Sequence, residues 1–362
     1  MSTPTHEPEL HFGWFIPTMG DTTAFGDPNA RTAPSLELFE RVAKSAEAAG
    51  FEYALVPVQT ECYEAWIACA MVAARTERLT LLVAARPGVI APTVTAKMIS
   101  TFDQLSGGRV AINLIAGGSP TELAGDGLFH DHDARYRLMD ETVEIMKRVW
   151  TEDEPVTHRG DHFTVEGAVV KPRPLQKPHP EFFLGGLSDA AVDVCAKHAD
   201  VYLFWGDRPE VIAQKIAEAK ERAALYGREG ELRFGMRLQV IVRDTEAEAW
   251  SAAEALIAGA DEQKWRGDWT DSKAQDRMQQ LVQADDYRLG DHLWSGITTV
   301  RPGAGVAVVG DPRQVADTLS EFVDVGCTHF CLSGYPHDEE ATRFGRDVMP
   351  LMRERAAVVS AG

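Results

Sequence analysis

Arg237 is the residue whose surroundings are hardest to explain as structure alone. It lies within the apolar run Gly235-Met236-Arg237-Leu238-Gln239-Val240, which has the composition of a buried strand. A buried guanidinium group requires an anionic partner, either a carboxylate of the protein or a bound ligand. We favour a ligand, because carboxylates are scarce where the neighbouring strands are expected to end. Arg237 is therefore our first candidate for binding an anionic substrate.

Other residues able to do chemistry share one position, at or just after the end of a short apolar run. They are Trp14, Thr18, Met19, Gln59, Cys62, Arg86, Asn113, Gly185, Gly186, Ser188, Trp205, Gln239, Ser333, Tyr335 and His337. This set contains no carboxylate, which disfavours a hydrolase that works with paired carboxylates. A metal site is not expected either. The run His130-Asp131-His132-Asp133 cannot turn consecutive side chains toward one ion, and we interpret it as a helix entry with Asp133 as N-cap.

Two glycine-rich segments invite comparison with nucleotide-binding loops. Phe182 to Ala190 has the pattern of a strand, a glycine turn and a helix start, where bare amides and the Ser188 hydroxyl suit a phosphate. An ordinary turn with Ser188 as helix N-cap explains these residues equally well. Gly303-Ala304-Gly305 lacks the third glycine of a dinucleotide fingerprint and follows no strand, so we interpret it as a flexible lid segment.

The five cysteines include no Cys-x-x-Cys pair, which argues against a disulfide framework and a zinc ribbon. Cys69 is expected in the core. Cys62 stands at the start of a helix predicted over Cys62 to Arg75, where the helix dipole would lower the pKa of its thiol. Cys62 is thus a candidate for the reactive site.

The elements that must position these residues are eight short apolar runs alternating with helical patterns. The predicted strands are Leu10 to Pro17, Tyr53 to Val58, Leu79 to Ala85, Val110 to Ala116, Glu181 to Leu184, Val201 to Trp205, Arg233 to Val242 and Thr328 to Ser333. This alternation is typical of the α/β class and predicts a single (β/α)8 TIM barrel over residues 1–362. In such a barrel the working residues lie at the carboxyl ends of the strands.

Two insertions interrupt the predicted repeat. Residues 155–174 alternate apolar and polar side chains around Glu166-Gly167, which predicts a hairpin. Residues 261–309 form a longer insertion rich in glycine, aspartate and tryptophan. We interpret it as a mobile active-site lid, although a structural or oligomer-contact insertion also fits its length.

The composition and the net charge limit the classes of molecule that the protein is expected to bind. The chain has 362 residues, 44% of them hydrophobic, and a formal net charge of −19, which disfavours nucleic acid and anionic membranes. No apolar run reaches the length of a membrane span, and Met1 to Glu9 is polar, unlike a secretory signal. These features predict a cytoplasmic protein.

Short segments spread in order along nearly the whole chain form a further pattern. They are Gly13 to Thr18, Leu55 to Pro57, Cys62 to Trp66, Ala85 to Gly88, Phe102 to Arg109, Leu123 to Gly127, Asp131-His132, Arg135-Tyr136, Gly185 to Asp189, Tyr202 to Gly206, Phe234 to Leu238, Val300 to Gly305 and Leu332 to His337. This pattern resembles the two-component FMNH2-dependent alkanesulfonate monooxygenases of the bacterial-luciferase-like family. The last two segments are specific to the sulfonate branch.

The resemblance implies a barrel that takes reduced FMN from a separate NAD(P)H-dependent flavin reductase. With O2 it would cleave a carbon–sulfur bond and release sulfite and an aldehyde. It also implies roles for individual residues. FMN would contact Asn113, Tyr136, Gly185, Gly186, Leu187 and Ser188. Cys62 would lie near the reactive edge, and Arg237, Arg301 and Tyr335 would bind the sulfonate and assist proton transfer. We also expect a homo-oligomer, a dimer or a tetramer.

Two departures bear on the substrate, since the alkanesulfonate enzymes have histidine where this chain has Met19 and Gln239. A glutamine can both donate and accept hydrogen bonds, which suits hydroxyl groups. With Trp205 and His337, it resembles the branch that acts on sulfoquinovose and leaves 6-oxo-glucose. Trp14 is a further candidate for substrate contact. Simple alkanesulfonates are the alternative substrates. A deazaflavin-dependent dehydrogenase on the same barrel stays open, and a non-catalytic flavin-binding homologue is disfavoured by the intact Arg237, Arg301 and Tyr335.

Overall fold

The frame of the molecule is a closed barrel of eight parallel strands. The computed structural model describes residues 9–261 and 269–359. Each strand pairs with its neighbours along the chain and the last pairs with the first, so the predicted (β/α)8 TIM barrel is confirmed. In chain order the strands are β1 (His11–Phe15), β2 (Tyr53–Val56), β3 (Thr80–Ala85), β4 (Val110–Leu114), β5 (Phe182–Leu184), β6 (Val201–Trp205), β7 (Arg233–Val242) and β8 (Cys327–Ser333).

Side chains of the barrel strands alternate between two apolar layers, because successive residues of a strand point to opposite faces. In β1, Phe12 and Trp14 belong to the outer layer that packs against the helices, whereas Phe15 belongs to the inner layer. The inner layer consists of Phe15, Tyr53, Leu55, Leu82, Ala111, Phe183, Val201, Leu203 and Cys331. The barrel interior is therefore packed, and it forms a floor beneath its carboxyl-terminal mouth.

The helices return the chain between strands and cover the outer layer. Those described are α1 (Leu36–Ala49), α2 (Ala65–Ala73), α3 (Pro92–Ser106), α4 (Pro120–Gly125), α5 (His132–Thr151), α6 (Asp189–His198), α7 (Pro209–Ala224), α8 (Glu246–Ile257), α9 (Lys273–Leu281), α10 (Pro312–Asp324), α11 (His337–Asp347) and α12 (Met349–Val359). Local signals set several ends, as in α1, which Ser35 caps and which Gly50 ends in the left-handed region at φ 92°.

The start of α2 differs from the sequence expectation. The Glu64 side chain accepts hydrogen bonds from the amides of Trp66 and Ile67, and so caps a helix that begins at Ala65. Cys62 lies in the turn before this cap rather than at the helix start.

Two differences concern the carboxyl-terminal quarter. The sequence pattern predicts one helix over Glu339 to Arg355, but the structure has two, α11 and α12, because Pro350 lacks the amide hydrogen that an unbroken helix needs and the helix is interrupted at Val348. Helix α10 is a further element that was not predicted, although it begins at a capping box formed by Asp311 and Gln314.

The first insertion contains a two-stranded antiparallel hairpin, Val156–Arg159 paired with Thr164–Ala168. Its turn lies between these strands, at residues 160–163, and not at Glu166-Gly167 as expected. Glu166 and Gly167 lie within the second strand, because the real turn is built around Gly160 and Asp161.

The second insertion folds over the mouth of the barrel. Residues 262–268 lie outside the described residues. The remainder contains α9 and a pair of antiparallel strands, Leu293–Trp294 and Ala307–Gly310, the second of which also runs parallel to the end of β7. The segment from Gly303 leads into this buried strand, and Ala304 and Val306 are themselves buried. It is thus packed against the barrel rather than loose.

Membrane insertion finds no support in the described ranges, where every helix is too short or too polar to span a bilayer.

Candidate active site

A cleft opens at the carboxyl ends of the barrel strands. Its floor includes the inner-layer residues Phe15, Leu55 and Leu203. Eight of the residues singled out for binding or catalysis line its walls, namely Asn113, Tyr136, Gly185, Gly186, Leu187, Trp205, Arg237 and Arg301. Trp269, Ser272 and Ala274 of the second insertion also line the cleft. The cleft is thus where the sequence-predicted residues meet.

Arg237 lies in the cleft wall with no carboxylate partner among the described residues. Its Nη1 donates to the carbonyl oxygen of Leu238 at 2.8 Å, and its Nη2 donates to Ser333 Oγ at 2.9 Å. The guanidinium carbon lies 4.8 Å from the centre of the Phe15 ring. Burial lowers the pKa of Arg237 from its ordinary value, but a guanidinium stays charged in proteins. The carboxylate alternative is therefore wrong for the described residues.

Arg301 brings a second guanidinium group to the same cleft. Its Nη1 donates to the Tyr335 hydroxyl at 2.5 Å, and its Nε donates to the carbonyl oxygen of Pro302 at 3.2 Å. No carboxylate pairs with it within the described ranges. The positive charge of Arg301 also contributes to lowering the pKa of Arg237, so the two cations repel each other. An anion placed between them would relieve that repulsion.

Tyr335 does not itself line the cleft. Its ring packs edge-on against Phe25 and His337, with centroid distances of 5.0 and 4.8 Å. Its hydroxyl accepts the hydrogen bond of Arg301, which does line the cleft. The structure therefore places Tyr335 behind Arg301 as a support.

Gln239 lies outside the cleft, contrary to the expected substrate contact. Its Oε1 accepts a hydrogen bond from Ser333 Oγ at 2.6 Å, and its Nε2 donates to the carbonyl oxygen of Ala304 at 3.1 Å. The side chain is fully buried, because Arg237, Ser333 and Gln239 form one hydrogen-bonded row across β7 and β8. Gln239 therefore supports Arg237 from behind.

Trp14 and His337 also lie away from the cleft lining. Trp14 points to the outer layer because Phe15, its neighbour in β1, points inward. Its Nε1 donates to the carbonyl oxygen of His337 at 3.0 Å. The His337 ring is buried, and its Nδ1 lies 2.8 Å from Asp21 Oδ1. Direct substrate contact by Trp14 is therefore wrong, and His337 is placed as a neighbour of Tyr335.

Cys62 does not carry the low thiol pKa expected of it. Burial raises the pKa of Cys62 to about 11, which outweighs the opposing contributions of Thr18 and Arg301. The helix dipole gives no help, since α2 begins three residues later. Cys62 is also absent from the cleft lining.

The opposite wall has the features of a phosphate cradle. Gly186 has φ 149°, and a Cβ there would lie 3.0 Å from the Tyr136 hydroxyl oxygen and 2.6 Å from the Cβ of Ala191. Only glycine leaves this space free. Ser188 caps α6, its Oγ accepting from the amide of Ala191 at 3.2 Å, so the N-terminus of α6 meets this wall. Burial raises the pKa of Tyr136, which keeps its hydroxyl a hydrogen-bond donor at neutral pH.

Several residues at the cleft were missed, or were named without a role. Arg86 lines it with its charge compensated, since its guanidinium pairs with Glu122 at 3.2 Å and with Asp126. Arg135 lies beside the phosphate cradle and pairs with Asp271 of the second insertion at 2.8 Å. Arg135 belongs to the quoted Arg135-Tyr136 segment, which was the available signal.

A metal site finds no support among the described residues, where no three His, Cys, Asp or Glu side chains could hold an ion. The histidine-rich run is a helix entry, as interpreted, but its N-cap is Asp131 rather than Asp133. Asp131 accepts from the amide of Ala134 at 2.7 Å, while Asp133 contacts the His132 ring instead.

A model of a known protein family, described as luciferase-like monooxygenase, matches residues 10–329. The chain belongs to this family. Membership confirms the expected class of enzyme, a flavin-dependent monooxygenase, at the level of the family. It also agrees with the site, since the mouth of the barrel combines a phosphate cradle with a cationic wall.

Solved structures share the same fold. Riboflavin lyase (RcaE), with modified FMN and riboflavin, matches at TM-score 0.77 and 19% identity over 96% of this chain and 92% of its own. EDTA monooxygenase (EmoA) from Chelativorans sp. BNC1 matches at TM-score 0.76 and 19% identity over 96% and 94%. An F420-dependent secondary alcohol dehydrogenase, in complex with an F420–acetone adduct, matches at TM-score 0.68 and 17% identity over 95% and 99%. At these identities the similarity is one of fold.

Proposed function

We propose that the enzyme oxidises an organosulfonate, using reduced FMN and O2, and releases sulfite and an aldehyde. The observation that carries the proposal is the pair Arg237 and Arg301, two guanidinium groups at one cleft with no carboxylate partner among the described residues. A sulfonate is a compact anion with three acceptor oxygens, so it can take charge-assisted hydrogen bonds from both groups.

The opposite wall fits the phosphate of FMN. Tyr136, the Gly186 space and the N-terminus of α6 would hold the phosphate, and Asn113 would contact the ring system across the cleft. Bound reduced flavin would supply the electrons that activate O2. The family and the fold are compatible with other flavins, so FMN itself belongs to the proposal.

The chain's own residues would bind the substrate and keep water away from the reaction. Arg237 and Arg301 would hold the sulfonate, and Tyr335 would fix Arg301 through its hydroxyl. Trp269 and Ser272 of the second insertion close part of the cleft, which favours the exclusion of water that a reactive reduced flavin requires. In the overall reaction a carbon–sulfur bond breaks, and one oxygen atom of O2 enters the aldehyde while the other leaves as water.

Sulfoquinovose is the substrate we propose. Gln239 does not support this choice by direct contact, because its amide group lies behind Arg237 and is hydrogen-bonded to Ser333 and to the Ala304 carbonyl. The support is the polar part of the cleft lining, in which Gln59 and Glu122 would form hydrogen bonds with hydroxyl groups and Trp205 would offer a flat apolar face. Simple alkanesulfonates, which lack hydroxyl groups, are the alternative.

The test is sulfite release across a panel of sulfoquinovose and linear alkanesulfonates. The enzyme is assayed with FMN, NADH, O2 and a generic flavin reductase, and each reaction is repeated without the reductase. We expect sulfite only in the complete mixture and most of it from sulfoquinovose. Sulfite formed without reductase would contradict the two-component scheme, and faster turnover of alkanesulfonates would contradict the proposed substrate.

A deazaflavin-dependent dehydrogenase is the second candidate, because an F420-dependent alcohol dehydrogenase shares this fold. Titration of the purified protein with FMNH2 under anaerobic conditions and with oxidised F420 separates the two. Tighter binding of F420, together with alcohol oxidation and no sulfite, would favour the dehydrogenase.

Self-association is also part of the proposal. Helix α2 is apolar on every side, so its outward residues, including Ile67 at 68% exposure, lack the polar face of a solvent-covered helix. The apolar surface continues onto α3, where Leu105 is 85% exposed. A second copy of the chain would cover both helices, and Ile67→Glu is expected to shift the mass measured by light scattering from dimer or tetramer to monomer. A cytoplasmic location follows from the dependence on an NAD(P)H-dependent reductase.

A further inference from the structure

Asp21 is a buried carboxylate that neither the sequence patterns nor the cleft lining singles out. It lies in the connection that follows β1, in the short strand Asp21–Thr22 that pairs with Arg31–Thr32, and both of its oxygens are occupied. Oδ1 accepts from the amide of Thr22 at 2.8 Å and lies 2.8 Å from the His337 ring, while Oδ2 accepts from the amide of His337 at 2.8 Å. Burial opposes its ionisation, but the contacts with His337 outweigh burial and lower the pKa of Asp21.

These contacts fix the start of α11 from a distant part of the chain. His337 is the first residue of α11, and Pro336 before it provides no side-chain cap. Asp21 takes over that role for the His337 amide and at the same time fixes the ring through Nδ1. Trp14 holds the carbonyl oxygen of the same residue. The position and the orientation of the imidazole are thus set by β1 and the loop that follows it.

The imidazole stands behind both arginines of the cleft. Its ring packs edge-on against Tyr335 at 4.8 Å, and Tyr335 accepts the hydrogen bond of Arg301. The same ring lies 5.7 Å from the Phe15 ring, on which the guanidinium of Arg237 rests. One side chain therefore contacts the immediate support of each guanidinium group.

We propose that Asp21 is a positioning residue of the anion site, which sets the spacing of Arg237 and Arg301 by fixing His337. The inference rests on the proposed function only in taking these arginines as the anion site. Asp21 touches neither the cleft nor the arginines, so its effect passes through His337 and its two aromatic neighbours.

The variant that tests this is Asp21→Asn, which keeps an oxygen for the His337 amide but replaces the carboxylate that faces Nδ1. The matched control is Asp311→Asn, an aspartate that caps α10 away from the cleft. Binding of inorganic sulfate and sulfite to the flavin-free enzyme is measured by calorimetry. We expect Asp21→Asn to weaken binding about tenfold, and Asp311→Asn to leave it within twofold at a similar change in Tm.

The same measurement in the Arg301→Ala background separates positioning from general destabilisation. There, Asp21→Asn is expected to add about a threefold loss, because one of its two routes to the anion has been removed. A full tenfold loss in that background, or unchanged binding by Asp21→Asn alone, would overturn the positioning role and leave the proposed function standing. Absence of sulfate and sulfite binding by the wild-type enzyme would instead overturn the anion site, and this inference with it.

Discussion

Arginine residues at the two ends of the barrel differ in whether a carboxylate pairs with them. Arg233 begins β7 and Arg237 lies four residues further along the same strand, on the same face. Arg233, at 39% side-chain exposure, pairs with Glu181 at 2.6 Å at the amino-terminal end. Arg237, close to the mouth, is buried and has only neutral partners among the described residues.

The comparison shows that pairing with a carboxylate, more than depth of burial, distinguishes an arginine that serves the fold from one that is available to a ligand. At the mouth Arg86 is as buried as Arg237, yet Glu122 and Asp126 neutralise it. A charge that the protein has already paired contributes to the fold, whereas a buried charge without a carboxylate is available to a ligand. This agrees with the general division of barrel enzymes, in which the amino-terminal face serves stability and the carboxyl-terminal face serves the reaction.

The largest expected effect comes from removing the uncompensated charge. Arg237→Ala should lower kcat/KM for sulfite release by about 30- to 900-fold, since a charge-assisted contact to an anion in a dry site contributes about 2–4 kcal/mol. Its Tm should fall only modestly, because Ser333 and the Leu238 carbonyl lose a donor but no protein carboxylate is left without its partner. The control Arg233→Ala should keep activity within twofold and lower Tm slightly, as expected for a partly exposed pair.

Two results would break the comparison. A large drop in Tm for Arg237→Ala without ligand would show that the guanidinium serves the fold. An equal loss of activity in Arg233→Ala would show that the amino-terminal end takes part in turnover.

The next largest effect concerns the support behind Arg237. Gln239→Leu should reduce turnover of sulfoquinovose and of alkanesulfonates alike, by about tenfold. The reason is that Ser333 and the Ala304 carbonyl lose buried partners, at about 1–3 kcal/mol for each unsatisfied group, and Ser333 also holds Arg237. Tm should fall as well.

Gln59→Leu is the contrasting variant, because Gln59 lines the cleft. It should lower kcat/KM for the sugar while leaving alkanesulfonates within a few-fold, since only the sugar leaves a hydroxyl unpaired. If Gln239→Leu instead harms the sugar alone, Gln239 contacts substrate directly and the description of its burial is wrong.

Much of the fold could be predicted because buried parallel strands are continuous apolar runs, and β6 and β7 match their predicted bounds. The same property hides which face of a strand points inward. In β1, Trp14 and Phe15 are both large and apolar, so the sequence cannot tell the inner layer from the outer one, and Trp14 was placed on the wrong side.

The site divides in a similar way. Arg237 could be found because a charge in an apolar run needs a partner. Asp21 could not, since its partner His337 is 316 residues away and no local pattern joins them. Cys62 was misjudged because burial, which no local pattern shows, sets its thiol pKa, and because α2 begins only at Ala65, where the Glu64 side chain caps it.

A smaller effect is expected for the cysteines at the two ends. Burial raises the pKa of Cys62 near the mouth to about 11 and that of Cys327 at the start of β8 to about 12. Both thiols therefore stay protonated at pH 7.5, and iodoacetamide should modify neither in the time that consumes a free cysteine. Mass spectrometry of the native and the unfolded protein checks this. Rapid alkylation of Cys62 alone, prevented by substrate, would restore it as a reactive residue.

The smallest effect belongs to the amino-terminal end, where His11 Nδ1 lies 2.7 Å from Glu52 Oε2. The hydrogen bond with Glu52 raises the pKa of His11, whereas burial lowers the pKa of the neighbouring His329, which remains neutral. A raised pKa in the folded state means that the contribution to stability is fully present below the unfolded value of about 6.5. It is lost as the pH rises through the folded value.

Glu52→Gln should therefore lower Tm at pH 5.5–6 by about one degree, the scale of a partly exposed pair, and lower it less at pH 9, where only the longer contact of Glu52 with Arg353 at 4.0 Å is lost. Thermal melts of both proteins at the two pH values check the sign. The kcat/KM profile should not move, because the pair lies at the far end of the barrel from the arginines. A shift in that profile would mean that charge at the amino-terminal end reaches the cleft, and the separation between the two ends would no longer hold.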